Sequence, residues 1–224
     1  AGLFSFGFNY AVLMLIISNA LFQAYNPWLC ASYEKNDFRS IKKTNEIITF
    51  SLCVITIILI AIGPEVLFVL GTSEFMDAKW VIPPIALAAL FQFVYSNYSS
   101  LELYHKRTRI IAAGTILISI VNVILNYSFI PIYGFYAAGY TTFVCYFLLA
   151  MFHLYAHRRV CKKTVFNDKF IWTYSIATLF LGVMVTLLYP YVYARYFFLI
   201  SVLAVILHMK KNIIQGFLSD RIFN

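Results

Sequence analysis

The side chains with the clearest chemical pattern in this sequence are amides set into apolar segments. Asn19, Gln23 and Asn26 follow one another at intervals of four and three residues, so a helix would place them on one face. Asn122 and Asn126 lie one helical turn apart in another apolar segment. Amides donate and accept hydrogen bonds, so such faces predict either bonds between helices or a polar cavity suited to sugar hydroxyls.

A third apolar segment carries Gln92 and Asn97 among serines and ends near Glu102. Because Glu102 is followed by His105, Lys106 and Arg107, we expect it to form an ion pair at the level of the lipid headgroups. The alternative is that Glu102 contacts a substrate or an ion. With the five amides above, these three residues are the candidates for a substrate cavity.

Motifs for catalysis or metal binding do not stand out in the sequence. His153 and His157 are spaced to share a metal but have no third ligand nearby, so we expect a pair at the membrane interface. The four cysteines contain no C-x-x-C pair. We therefore expect neither an enzyme nor a bound cofactor or metal, and a coupling ion remains an open alternative.

The amino-acid composition indicates whether these segments face water or lipid. Hydrophobic residues make up 62% of the chain and charged residues 12%, and the mean hydropathy is +0.81. A soluble domain is typically about half apolar and about one quarter charged. The sequence therefore predicts an integral membrane protein.

Apolar stretches of spanning length predict an all-α membrane protein of about seven transmembrane helices. They cover residues 3–30, 47–70, 81–104, 110–130, 136–156, 170–191 and 196–209. The bundle thus occupies residues 1–209, and residues 210–224 form a cytoplasmic tail. Residues 34–50 mix charges with apolar positions at helical spacing, which predicts a short helix lying on the membrane surface.

Basic residues alternate between connections in a way that predicts the orientation. Fifteen of the seventeen Lys and Arg residues follow the first, third, fifth and seventh predicted helices. The positive-inside rule then places the N-terminus outside and the C-terminus in the cytoplasm. The net charge of +8 is explained by this orientation and by contact with membrane lipids. Nucleic-acid binding is not expected.

The segment "NVILNYSFIPIYGFYAAGYTT" (122–142) joins the amide pair to a predicted turn. Pro131 is expected to end one helix, and Gly134 to give the backbone freedom for the next to begin. The segment resembles the polysaccharide-biosynthesis flippases of the multidrug/oligosaccharidyl-lipid/polysaccharide exporter superfamily, which show N-x-x-x-N, then I-P-x-Y-G, then a helix of small residues. It departs from that pattern at three small residues: Ala137, Gly139 and Thr141.

Two further segments resemble the same family in the same order. "NALFQAYNPWLCASYEKND" (19–37) is similar to a helix that ends in a proline and a short loop. "IGPEVLFVLGTSEFMDAKWVIPPIALAALFQ" (62–92) is similar to the segment with a Pro-Glu pair, an outer acidic turn and the helix after it. The three segments lie between residues 19 and 142.

The resemblance implies a function and a location. The chain would be the C-terminal lobe of a longer two-lobe exporter in the cytoplasmic membrane of a bacterium or archaeon. It would move an undecaprenyl-diphosphate-linked oligosaccharide across that membrane by alternating access, for the synthesis of O-antigen, capsule or exopolysaccharide. Membrane lipids surround it, and the polysaccharide polymerase and chain-length machinery are its implied partners.

Other functions stay open at this stage. Within the superfamily the alternatives are a lipid II flippase and a cation-coupled multidrug antiporter, which would want a buried carboxylate. A seven-span receptor matches the predicted helix count, but no D-R-Y motif follows the third span. A polysaccharide polymerase or acyltransferase would need a large outer loop or an intramembrane His/Asp pair.

Overall fold

The computed structural model describes residues 2–71, 73–160 and 164–204, and this part of the chain is helical without strands. Seven α-helices and one short 3-10 helix, Ser73–Val81, follow one another. The α-helices are α1 Gly2–Glu34, α2 Phe38–Leu70, α3 Ile82–Tyr104, α4 Thr108–Tyr133, α5 Tyr136–Val160, α6 Asp168–Leu187 and α7 Val192–Ala204. The prediction of an all-α membrane protein is thereby confirmed.

Six of these helices, α1 to α6, are long and apolar enough to cross a membrane. The seventh predicted span begins earlier than expected, at Val192, and is described as far as Ala204. Its predicted end at 205–209 and the predicted tail at 210–224 lie outside the described residues. Lys162 and Lys163, expected in the fifth connection, also lie outside them.

The connection between α1 and α2 corrects one prediction. Residues 34–50 do not form a separate surface helix, because α2 runs without a break from Phe38 to Leu70. The helix begins there because the Asp37 carboxylate accepts a hydrogen bond from the Ser40 N–H at 3.2 Å, which caps the first turn. Hydrogen bonds from Ser40 hold the pKa of Asp37 below its usual value.

Two prolines lie inside helices. Pro27 is within α1, as the predicted span 3–30 implied, and the helix continues to Glu34, four residues beyond the predicted end. Pro131 likewise lies within α4, which ends only at Tyr133. Gly134 is the turn residue, with a φ of 67° and a ψ of −157°. The prediction for Gly134 is confirmed and that for Pro131 is corrected by two residues.

Helix α3 forms the centre of the bundle and packs against α1, α2, α4, α5 and α6. Its first half is rich in small and apolar residues, and Ala86, Ala88 and Ala89 are all buried. Small side chains allow neighbouring helices to approach closely, and close packing is what holds membrane helices together. Helix α4 is the opposite case, since Gly114 is its single buried residue.

Three predicted basic connections meet at one end of the bundle, which we call the basic end. The Tyr33 hydroxyl lies 2.7 Å from His105 Nε2, which joins the first connection to the third. Asn167 donates to the Glu46 carboxylate at 2.6 Å, which joins the start of α6 to α2. At the other end of the bundle, Arg195 forms an ion pair with Glu65. The helices therefore alternate in direction as the charge pattern predicts.

Candidate functional site

Amide side chains tie α1 to α3. Gln92 donates to the Asn19 side-chain oxygen at 3.1 Å, and the Ser100 hydroxyl donates to Asn26. Gln23, on the same face of α1, is exposed. Two of the three amides predicted to share this face are therefore bonded to α3, which is the contact expected of polar residues between membrane helices.

A second set of hydrogen bonds ties α4 to α5. The Thr141 hydroxyl donates to the Asn126 side-chain oxygen at 2.5 Å, and Asn126 donates to Asn122 at 3.0 Å. Asn122 in turn lies 3.4 Å from the Cys145 sulfur. These contacts form a ladder across the two helices, so Asn126 acts in helix packing.

Two neighbouring clefts open along α4. The first, which we call the serine cleft, has a volume of about 480 Å³ and lies between α1, α3 and α4. The second, the amide cleft, has a volume of about 400 Å³ and lies between α3, α4 and α5. Tyr95 lines both of them.

Six of the ten residues that line each cleft carry a hydroxyl or an amide group, and the rest of the lining is apolar. The serine cleft is bordered by Asn26, Tyr95, Ser96, Ser99, Ser100 and Thr108 together with four apolar residues. The amide cleft is bordered by Tyr95, Thr115, Ser119, Asn122, Thr142 and Tyr146 together with four others. Amides and hydroxyls bind other hydroxyl groups well, and tyrosine rings offer flat surfaces on which a sugar ring can stack.

A buried acid–base pair lies beside these clefts. The side chains of Glu102 and His153 are fully buried, and a hydrogen bond of 2.8 Å joins Glu102 Oε2 to His153 Nδ1. Glu102 is thus paired with His153 rather than with His105, Lys106 or Arg107, the basic residues that follow it in the sequence. Glu102 reaches inward from the last turn of α3 and finds its partner on α5.

The ring of Tyr95 separates this pair from both clefts. It stacks on the His153 ring with the centroids 5.7 Å apart and the planes inclined by 28°. On the α4 side, a β-carbon built at Gly114 would lie 3.4 Å from His153 Nε2. The imidazole is thus held between α3 and α4, and Glu102 itself does not line either cleft.

Comparison of the chain with family models, curated proteins and solved structures found no match. The resemblance to the polysaccharide flippases therefore stays a prediction from the sequence.

Asn97 differs from the other candidate amides. It is fully buried on α3, and neither its side-chain oxygen nor its nitrogen has a hydrogen-bond partner in the described part of the chain. It lies outside the lining of both clefts. The structure thus brings Asn26 and Asn122 to the clefts, leaves Asn19 and Gln92 bonded beside them, and keeps Asn97 in the core.

His157 lies one helical turn beyond His153 and is also buried. Its ring packs beside Tyr98, whose hydroxyl donates to Asp168 at 3.1 Å, and Arg158 pairs with the same carboxylate at 3.0 Å. Within the described residues, no three potential ligands come together to hold a metal ion. This group instead fastens the start of α6 to α3 and α5.

Sequence reasoning missed the role of His153. The signal was present, since an ionisable residue within an apolar segment is costly unless it has a partner. The burial of Arg195 was missed in the same way, because the sequence prediction placed this residue in the short connection before α7. It is 1% exposed, and its guanidinium lies 5.5 and 5.4 Å from the rings of Tyr189 and Tyr196.

Proposed function

We propose that this protein is a membrane transporter that moves a lipid-linked oligosaccharide from one leaflet to the other. The observation that carries the proposal is the pair of adjoining clefts along α4, which present hydroxyls, amides and tyrosine rings inside an apolar bundle. Such a lining suits a sugar chain, which needs many hydrogen bonds and flat ring contacts. The sequence resemblance to polysaccharide flippases supports the same cargo.

The position of the clefts suggests how the cargo would sit. The serine cleft extends to Thr108, the first residue of α4, at the basic end of the bundle. Arg107 and Arg109 flank this residue and are exposed. We infer that the arginines meet the diphosphate of the carrier lipid, while the glycan occupies the clefts. Arginine suits that role because its planar guanidinium binds phosphate oxygens in pairs.

The N-terminus outside and the C-terminus in the cytoplasm complete this proposal. With that orientation the basic end faces the cytoplasm, where lipid-linked sugars are loaded. The chain would then supply one lobe of a cytoplasmic-membrane exporter that works by alternating access. The polymerase and chain-length machinery would receive the cargo on the far side.

Deleting the gene tests this proposal. We expect lipid-linked repeat units to accumulate on the cytoplasmic face and surface polysaccharide to disappear, and the wild-type gene to restore both. Ser99→Trp fills the serine cleft and should not restore export. Ile116→Trp adds the same ring to a position of α4 that is 61% exposed and should restore it. Normal surface polysaccharide after a clean deletion would overturn the proposal.

A second candidate is a cation-coupled exporter of the same superfamily, and the observation that favours it is the buried carboxylate of Glu102. The phenotype of the deletion strain distinguishes export of drugs from export of glycans. If the cargo were a drug, deletion would increase sensitivity to toxic compounds and leave surface polysaccharide intact. The reverse outcome supports the flippase.

A further inference from the structure

We propose that the Glu102–His153 pair is a proton-binding site that couples protonation to the packing of α4. The inference rests on the proposed transport function, since it names the ion that would drive it. The argument begins with the position of the pair. Burying two ionisable side chains completely within a membrane bundle costs free energy, which makes this pair a candidate for a function.

The free atoms of the pair define where protons enter and leave. Glu102 Oε1 and His153 Nε2 are both buried and have no hydrogen-bond partner in the described part of the chain. The other two heteroatoms, Oε2 and Nδ1, are occupied with each other at 2.8 Å. A proton can therefore be gained or lost at the free atoms while the hydrogen bond between the two side chains stays intact.

The charge of the pair changes at each step. With a carboxylate and an imidazolium the pair is neutral overall. Loss of the proton on Nε2 leaves a neutral imidazole, whose Nδ1–H still donates to the carboxylate, and a net charge of −1. Gain of a proton on Oε1 leaves a carboxylic acid beside an imidazolium and a net charge of +1. Either step places an uncompensated charge in the core, which is unfavourable until water or a new partner reaches it.

Helix α4 is the element that can respond. A β-carbon added at Gly114 would lie 2.6 Å from the Phe152 ring and 3.4 Å from His153 Nε2, so α4 passes close to the imidazole here. Gly114 is the single buried residue of α4 and marks its closest approach to α5 near the pair, whereas the hydrogen-bonded ladder at Asn122 and Asn126 joins the two helices further along. An uncompensated net charge on the pair therefore favours separation of α4 from it, because separation admits water. Because α4 borders both clefts, such a movement changes access to the cargo site.

The other titratable groups around the pair lie on α3, on α5 and at the basic end of the bundle. On α3, Tyr95 stacks on the imidazole and shields it from the clefts. On α5, His157 lies one turn away and packs against Tyr98. Tyr146 stacks on Tyr95 with the ring centroids 6.0 Å apart. Towards the basic end, His105 is bonded to Tyr33, and Lys106, Arg107 and Arg109 are exposed.

A proton rather than a metal cation fits the geometry. Sodium and other hard cations need several oxygen ligands, whereas this site offers one carboxylate and an imidazole nitrogen. Among the described residues no cluster of three metal ligands exists. A carboxylate and an imidazole both bind and release protons, so a proton is the ion that suits this pair.

The first test measures proton binding on the purified full-length protein, without any cargo. Infrared difference spectra between alkaline and acidic pH contain a protonated carboxyl band to which every titrating Asp and Glu contributes, and Glu102 should supply one component of it. Glu102→Gln should remove that component, and Glu102→Asp should shift it. Glu65→Gln, which alters the carboxylate paired with Arg195, is the matched control and should leave the Glu102 component in place. Spectra of Glu102→Gln identical to those of the wild type in the carboxyl region would overturn the proposal.

The second test measures the coupling. In a variant without native cysteines, Ser99→Cys places a thiol in the serine cleft, and its labelling rate with a maleimide reports cleft access. We expect the rate to change several-fold with pH, and the change to be lost in Glu102→Gln and His153→Gln but kept in Glu65→Gln. A pH dependence unaffected by both substitutions would overturn the coupling. Neither test uses a glycan, so a failed flippase assay would leave these results interpretable.

Discussion

At the scale of single residues, amides that look alike in the sequence have different tasks. Asn126 makes two hydrogen bonds in the ladder between α4 and α5, whereas Asn122 also borders the amide cleft. Asn97, buried without a partner in the described chain, contributes to neither. Position in the lining of a cleft, rather than the number of hydrogen bonds, thus distinguishes Asn122 from Asn126 and Asn97.

This distinction predicts opposite effects for two matched substitutions. Asn126→Leu removes one hydrogen bond to α5 and one within α4, and we expect it to destabilise the protein by about 1 kcal/mol, since a hydrogen bond between membrane helices contributes roughly 0.6–1.7 kcal/mol. Asn122→Leu should cost less stability but reduce export of the surface glycan. Thermal unfolding in detergent and the glycan assay measure the two effects. Equal stability of Asn126→Leu and the wild type would contradict the packing role.

Asp37 provides a prediction for pH. Because hydrogen bonds from Ser40 lower the pKa of this carboxyl in the folded protein, its stabilising effect is complete above the usual pKa. The effect is lost as the pH falls through the lowered value. Asp37→Ala should therefore lower the unfolding temperature at neutral pH and make a smaller difference in acid. A difference that grows in acid would show that the sign is wrong.

At the scale of elements, helix ends depend on backbone conformation more than on proline. Gly134 has a φ of 67° and a ψ of −157°, a combination that side-chain-bearing residues rarely adopt. An added β-carbon would meet no atom within 4 Å, so any cost of substitution comes from the backbone alone.

Gly134→Ala should accordingly destabilise the protein by about 1–3 kcal/mol, the usual cost of holding a residue in such a region. Ile132→Ala, two residues earlier at a side chain that is 70% exposed, is the control and should change stability little. The measurement is thermal unfolding in the same detergent. Equal unfolding temperatures for Gly134→Ala and the wild type would contradict the assigned turn geometry.

The helices themselves followed from the sequence, and their partners did not. Apolar length and basic connections predicted about seven spans and their alternation, and six of these are long helices in the described chain, because both signals depend on local composition. The interfacial helix at 34–50 was wrong because local amphipathic spacing cannot show that α2 continues through it. The Glu102–His153 contact joins residues 51 positions apart, and such pairing depends on tertiary packing.

At the scale of the whole molecule, the polar features gather along one helix. An apolar bundle centred on α3, with α4 at its side and largely exposed, leaves two polar clefts along α4. A buried acid–base pair faces the same helix from the other side of Tyr95. The clefts, the close approach at Gly114 and the ionisable pair thus all adjoin α4, and the proposed transporter would use this arrangement to couple proton binding to cleft access.

The most direct measurement of the central claim is flipping in reconstituted vesicles. Full-length protein is incorporated with an undecaprenyl-diphosphate-linked oligosaccharide, and the appearance of the glycan on the opposite leaflet is followed with an impermeant glycosidase. We predict transfer well above the rate in protein-free vesicles, abolished by Ser99→Trp and retained by Ile116→Trp. Transfer no faster than in protein-free vesicles, from protein that is correctly folded and inserted, would contradict the account.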